Sequence, residues 1–234
     1  MKLIQKLLAL LILCLCDSCY DGDYWDTGEY QAYHLINTYV DVNAPQLNAT
    51  QEGVSISFMT RDANYYYSKE FATVSKKEQS EEQLLRFIEL AEKNNDFFTW
   101  KEGYYTHGFN INKMNYFSGG SLDAITKGVA KIELVSDADF DKEHPAGVSL
   151  MDDVKLISYV YGDIVGKPIS LKQINEAYKI KEYSNYTQQE MLVIGSELDL
   201  RFNSWPTLSK VHNFTVTITF DDGEVYSDSV KLEF

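Results

Sequence analysis

Residues 213–220 alternate without a break. Phe214, Val216, Ile218 and Phe220 are apolar, and Asn213, Thr215, Thr217 and Thr219 are polar. A period of two is the mark of a strand with one face buried and one face wet. Asp221-Asp222-Gly223 follows, and then Tyr226, Val230, Leu232 and Phe234 share one parity. Two such runs around an Asp-Gly turn read as a hairpin. Its register can be decided on paper. A two-residue loop at Asp222-Gly223 sets Ile218 against Ser227, an apolar face against a polar one. A three-residue loop at 221–223 sets Ile218 against Tyr226 and Phe214 against Val230, and the faces agree. Such loops end on a left-handed residue, which is the place Gly223 takes.

The rest of the chain reads in the same idiom. Strand patterns are predicted over 32–42, 54–60, 65–74, 104–117, 129–136, 154–161 and 190–202. One helix stands out over 80–94. Leu84, Phe87, Ile88 and Ala91 recur at helical spacing, and Ser80 with Gln83 forms a capping-box pattern. Weaker helical signals lie at 170–179 and, as a short turn, at 121–128. Short strands with polar turns predict a mainly β fold: an antiparallel, immunoglobulin-like β-sandwich with helical insertions. The alternative is an α+β fold with the helix on one open antiparallel sheet.

The N-terminus speaks about address. Lys2 and Lys6 precede ten apolar residues, 7–16. That run is too short to span a bilayer, which needs about 20 residues, and fits a secretory signal. It ends at Asp17-Ser18-Cys19, which resembles the lipobox of bacterial lipoproteins. The resemblance implies cleavage before Cys19 and lipidation of Cys19. Cys16 is the runner-up, because Ser18 suits the cut better than the large Leu before Cys14 or Cys16. Asp21, Asp23 and Asp26 follow closely, and such an acidic cluster resembles the export tag of Bacteroidetes surface lipoproteins. The organisation read from this is a signal peptide at 1–18, a lipidated acidic tether at 19–30 and one globular domain at 31–234. The implied location is the outer membrane, lipid-anchored and facing outward. The alternative for the acidic stretch is a solubilising linker.

Composition narrows the partners. The net charge is −14, which disfavours nucleic acid as a partner. The three cysteines are Cys14, Cys16 and Cys19, so none is left in the body for a disulfide, a zinc site or a thiol nucleophile. The membrane partner is then reached through the N-terminal lipid.

Motif by motif, chemistry is hard to find. Asp137, Asp139 and Asp141 alternate as calcium ligands do. Counted from Asp137, however, the sixth and twelfth positions hold Lys142 and Val148, where an EF-hand needs Gly and Glu. An acidic rim is the better reading, and no metal is expected. Gly162 to Pro168 imitates a phosphate loop, but Pro168 stands where Ser or Thr would hold magnesium. No serine-hydrolase or zinc-protease signature occurs, and His34, His107, His144 and His212 are scattered singly. No catalytic residue and no cofactor is assigned. The segment from Asp137 through His144-Pro145-Ala146-Gly147 to Asp153, together with the terminal Asp-Asp-Gly hairpin, looks like a family of uncharacterised Bacteroidetes lipoproteins. That likeness implies secretion and brings no catalytic residues with it.

Aromatic residues are the remaining signal. Tyr65, Tyr66, Trp100, Tyr104 and Tyr105 fall in two clusters beside polar residues. Flat rings next to hydrogen-bonding groups are what a sugar needs. Tyrosine enrichment in the strands and loops of a sandwich is the better account of the same clusters. The function expected is a binding or accessory module at the cell surface, with a glycan or an envelope protein as partner. The alternatives are an envelope glycan hydrolase and a structural envelope protein without a ligand.

Overall fold

The computed structural model describes residues 34–43, 45–96, 98–100, 122–169, 173 and 176–234. The fold is mainly β and sandwich-like. One sheet is antiparallel, with strands in the order β10-β8-β11-β3-β2: Tyr178–Glu182, Val154–Tyr159, Glu197–Phe202, Gly53–Ser57 and Gln46–Thr50. A second antiparallel sheet has the order β13-β12-β7: Val225–Glu233, Val211–Phe220 and Val129–Ser136. Strand alternation turns Val54, Ile56, Leu156, Leu198 and Leu200 inward from the first sheet. Ile132, Leu134, Phe214, Val216 and Ile218 come from the second, and together they form one core.

The terminal hairpin has the predicted register. Ile218 pairs with Tyr226 and Phe214 with Val230. Gly223 sits at φ +86°, and its N–H donates to the Phe220 carbonyl at 3.1 Å. The outer face carries polar pairs, Thr215 with Ser229 and Thr217 with Ser227.

A third, small sheet is built from β1, β4 and β6: Thr38–Val40, Tyr65–Tyr67 and Asp123–Ile125. It is a wall shared by two cores. Val40, Tyr65 and Ile125 face the sandwich core. Tyr39, Tyr66 and Ala124 face a second core under a helix. Period-two alternation makes one three-residue strand serve both sides. The helix is α2, Glu81–Lys93, which follows α1, Lys69–Ser75. Both halves of the Ser80–Gln83 capping box are present. A parallel pair, β5 at Phe98–Trp100 and β9 at Lys167–Ile169, forms the last sheet.

Several local expectations are corrected. The aromatic run at 65–74 is a strand only to Tyr67. Ser68 then caps α1, its side chain accepting from the Phe71 N–H. The expected helical turn at 121–128 contains β6, because pairing with β1 outweighs a weak local signal. Tyr178 opens β10 and does not close a helix, since it pairs with Tyr159 of β8. The run at 190–202 is divided: a short helix, α3 (Gln188–Met191), precedes β11. Helix α2 is rotated slightly from its predicted face. Phe87, Leu90 and Ala91 are buried, and Ile88 is 39% exposed. The strand expected at 104–117 lies outside the described residues.

Gly53 has a packing reason. A Cβ there would lie 1.9 Å from the Leu200 carbonyl oxygen, so β3 can approach β11 only with glycine at this point.

Candidate functional site

One end of the sandwich carries a tight aromatic cluster. Phe140, Phe202, Phe214 and Phe234 meet with centroids 5.1–6.4 Å apart. His212 belongs to it and is fully buried. Its Nδ1 lies 2.7 Å from the Ser136 hydroxyl and its Nε2 3.1 Å from the Ser209 carbonyl oxygen. A carbonyl can only accept, so Nε2 carries the proton and Nδ1 accepts from Ser136. The pair resembles a Ser–His dyad but has no access to solvent, and it serves to tie β7 and β12 to the loop that precedes β12.

That loop, 203–210, presents Trp205. The ring is 60% exposed and stands perpendicular to Phe234, at 89° and 5.8 Å. Many bonds fix its backbone. The Asn203 N–H donates to the Asp153 carbonyl at 2.8 Å, and Thr207 N–H to the Phe140 carbonyl at 2.8 Å. Ser209 N–H donates to the Asp139 carbonyl at 3.1 Å. The Ser204 hydroxyl donates to the Asp153 carboxylate. The loop backbone that carries Trp205 is therefore held in place.

Beside it lies a groove of about 220 Å³, lined by Gln51, Glu52, Arg201, Phe202, Ser204 and Trp205. Gln51 and Glu52 come from the β2–β3 turn, and Arg201 and Phe202 from the end of β11. Arg201 Nε lies 3.1 Å from Glu52 Oε2, an ion pair between two largely exposed side chains. The Phe202 ring, an exposed indole and a polar wall converge here.

The acidic loop is the frame of this site. Asp137 accepts from the Asn213 N–H at 2.8 Å, and Asp139 from the Ala146 N–H at 2.8 Å. Asp141 accepts from the Glu143 and His144 N–H groups, each at 2.8 Å. His144 bridges Asp141 and Asp152, at 2.9 and 3.0 Å. Burial pulls the His144 pKa down, but the two carboxylates outweigh it and hold the imidazole above its ordinary value. Among the described residues, no group of three or more His, Cys, Asp and Glu is placed to hold a metal ion.

The aromatic residues singled out in the sequence are placed differently. Tyr65 and Tyr67 have parallel rings, 5° apart in plane with centroids at 6.2 Å. Both are half-buried, as is Tyr66. The Tyr65 hydroxyl donates to the Thr60 carbonyl at 2.9 Å. Tyr65 packs on the sandwich core and Tyr66 on the second core, so these rings join the two cores. Trp100 lies on β5, where only the backbone is described. Tyr104, Tyr105 and Cys19 lie outside the described residues.

Trp205 was missed by composition and periodicity. Its available signal is a lone large aromatic in a polar turn, Asn203-Ser204-Trp205-Pro206-Thr207, where no strand pattern requires one. Two charge clusters lie elsewhere. Glu190 is buried beneath Lys179 and Lys181 of β10. Asp96 is buried under the second core, accepting from the Leu35 N–H, the Ile36 N–H and the Tyr39 hydroxyl at 3.0–3.1 Å. Both are fully engaged in holding the fold.

No family model, no curated protein and no solved structure matches the chain. No helix among the described residues is long and apolar enough to cross a membrane.

Proposed function

We propose that the protein is a surface lipoprotein, anchored through Cys19, whose β-sandwich binds a glycan at the Trp205 groove. The observation that carries this reading is the exposed Trp205 ring, braced by Phe234 beside Gln51, Glu52, Arg201 and Ser204. The apolar C–H face of a sugar stacks on indole, and its hydroxyls need paired donors and acceptors at the edge. Glu52 is the single carboxylate among the groove's lining residues, and it is tied to Arg201. Glycoside hydrolysis ordinarily uses two flanking carboxyl groups, so the lining supports binding over hydrolysis.

A second reading rests on Leu208 and Val211, which are 55% and 43% exposed near Trp205 in sequence. A protein partner of the envelope would anchor on Trp205 and cover the two exposed aliphatic side chains beside it. A glycan array separates the two readings. Trp205→Ala should abolish the array signal with the melting temperature almost unchanged, and Leu208→Ser should leave the signal intact. An array signal that survives Trp205→Ala refutes the glycan site. The anchor has its own test: Cys19→Ala should release the protein from membranes into the soluble fraction.

A further inference from the structure

The groove carries a finer signal, which rests on the glycan reading above. Its charged wall is one ion pair, Arg201 with Glu52, and is neutral as a unit. Arg201 Nε lies 3.1 Å from Glu52 Oε2, close enough for an ion pair. Its two terminal amino groups make no hydrogen bond among the described residues, and neither does Glu52 Oε1. So a rigid donor fork lies beside a free acceptor. Ser204 spends its proton on Asp153 and can offer only lone pairs to the groove. Gln51 adds an amide with both functions.

Each hydroxyl of a sugar both donates and accepts. Two adjacent hydroxyls are matched by this wall: one gives its proton to Glu52 Oε1, and both accept from the Arg201 fork. Charge argues for the same class. A uronate would meet Glu52 and the field of a chain with net charge −14. An amino sugar would place its ammonium against Arg201. The lining holds one exposed indole, Trp205, a stacking surface for one sugar ring.

We propose that the groove takes a single uncharged pyranose unit bearing a free vicinal diol, with Trp205 as the stacking platform and the Arg201–Glu52 pair as the reader of the diol. Arg201 and Glu52 are thus the specificity-determining residues of the site.

The test is ligand-observed saturation-transfer NMR on the lipoprotein in a detergent without a sugar headgroup. The probes are methyl glucoside, methyl mannoside and methyl galactoside, their single-deoxy analogues, glucuronate and glucosamine. At least one neutral glycoside should show transfer. Removing one hydroxyl of its diol should weaken binding by about tenfold or more, as should Glu52→Ala, which removes the acceptor, since a lost hydrogen bond of ~1.4 kcal/mol is a factor of ten. The melting temperature of Glu52→Ala checks that its fold is intact. Trp205→Ala should remove transfer altogether. Preference for glucuronate or glucosamine, still dependent on Trp205, overturns the neutral-diol class and leaves the groove standing. Transfer that ignores Trp205→Ala overturns both. No transfer to any neutral glycoside overturns the proposal.

Discussion

Replacing Glu190 by Gln should cost the fold about 3 kcal/mol at neutral pH. Glu190 is 4% exposed. Lys181 Nζ lies 2.8 Å from its Oε2, Lys179 pairs with Oε1, and the Thr187 N–H donates to Oε2 at 2.8 Å. Burial alone would raise the pKa of this carboxyl. The hydrogen bonds from Lys179 and Lys181 overturn that and hold it at about 2, against an ordinary 4.5. At about 1.4 kcal/mol per pKa unit, the difference amounts to ~3 kcal/mol. Gln keeps the shape and can still accept from Thr187, so the loss falls on the lysine contacts. Lys179 and Lys181 sit on β10, the edge strand of the larger sheet. The cluster therefore clamps an edge to the helical turn at Gln188–Met191.

A body of about 200 residues loses roughly 2–4 °C per kcal/mol. Glu190→Gln should then melt about 6–12 °C below the parent at pH 7. The pH dependence fixes the cause. A depressed carboxyl pKa contributes stability above 4.5 that is lost as pH falls through about 2. The gap between parent and variant should hold down to pH 4.5 and close towards pH 2. Adding Lys179→Met to the variant should recover part of the loss, because it removes a half-buried ammonium left with only the Asp163 carboxylate at 3.7 Å. A gap under ~1 kcal/mol, or one that does not shrink between pH 4.5 and 2, would refute the assignment. Urea titrations across this range supply the measurement.

Three further outcomes are expected. Burial is the largest influence on Asp96 and raises its pKa to about 6, against hydrogen bonds from Ile36, Tyr39 and Leu35. The native state then binds this proton more tightly than the unfolded chain, so its contribution to stability falls as pH rises from 3.8 to about 6. Asp96→Asn should lack that slope, as read by urea denaturation at several pH values. Gly223→Val should destabilise the protein by ~1–2 kcal/mol, because a β-branched residue is strained at φ +86°, although no atom lies within 4 Å of its new Cβ. Chelator should leave the melting temperature unchanged, since Asp137, Asp139 and Asp141 already accept backbone N–H groups. A drop restored by calcium would contradict this.

Sequence legibility followed the length of the pattern. The eight-residue alternation at 213–220 of β12 defines faces, partner and register, because slipping by one residue exposes its whole core set. Helix α2 was legible from its cap and its spacing. Its exact rotation was not, since Leu90 and Ile88 are equally apolar and only tertiary packing chooses Leu90. In the small sheet, β1 and β4 fall within the strand runs read at 32–42 and 65–74, but their short extents and β6 were illegible. Tyr65 and Tyr66 face opposite cores, so no polar face breaks the run and the alternation disappears from the sequence. The site was the least legible part. Gln51, Glu52, Arg201 and Trp205 come from two segments about 150 positions apart, joined by the pairing of β3 with β11. Only the lone tryptophan in a polar turn marked the place.

The most direct measurement is a crystal structure of the protein with the strongest ligand found on the array. The expected density is one pyranose ring lying over the Trp205 indole, with adjacent hydroxyls on Arg201 and Glu52. A ligand seated elsewhere, for instance against Tyr65–Tyr67, with the Trp205 groove empty, would contradict the assignment of the site.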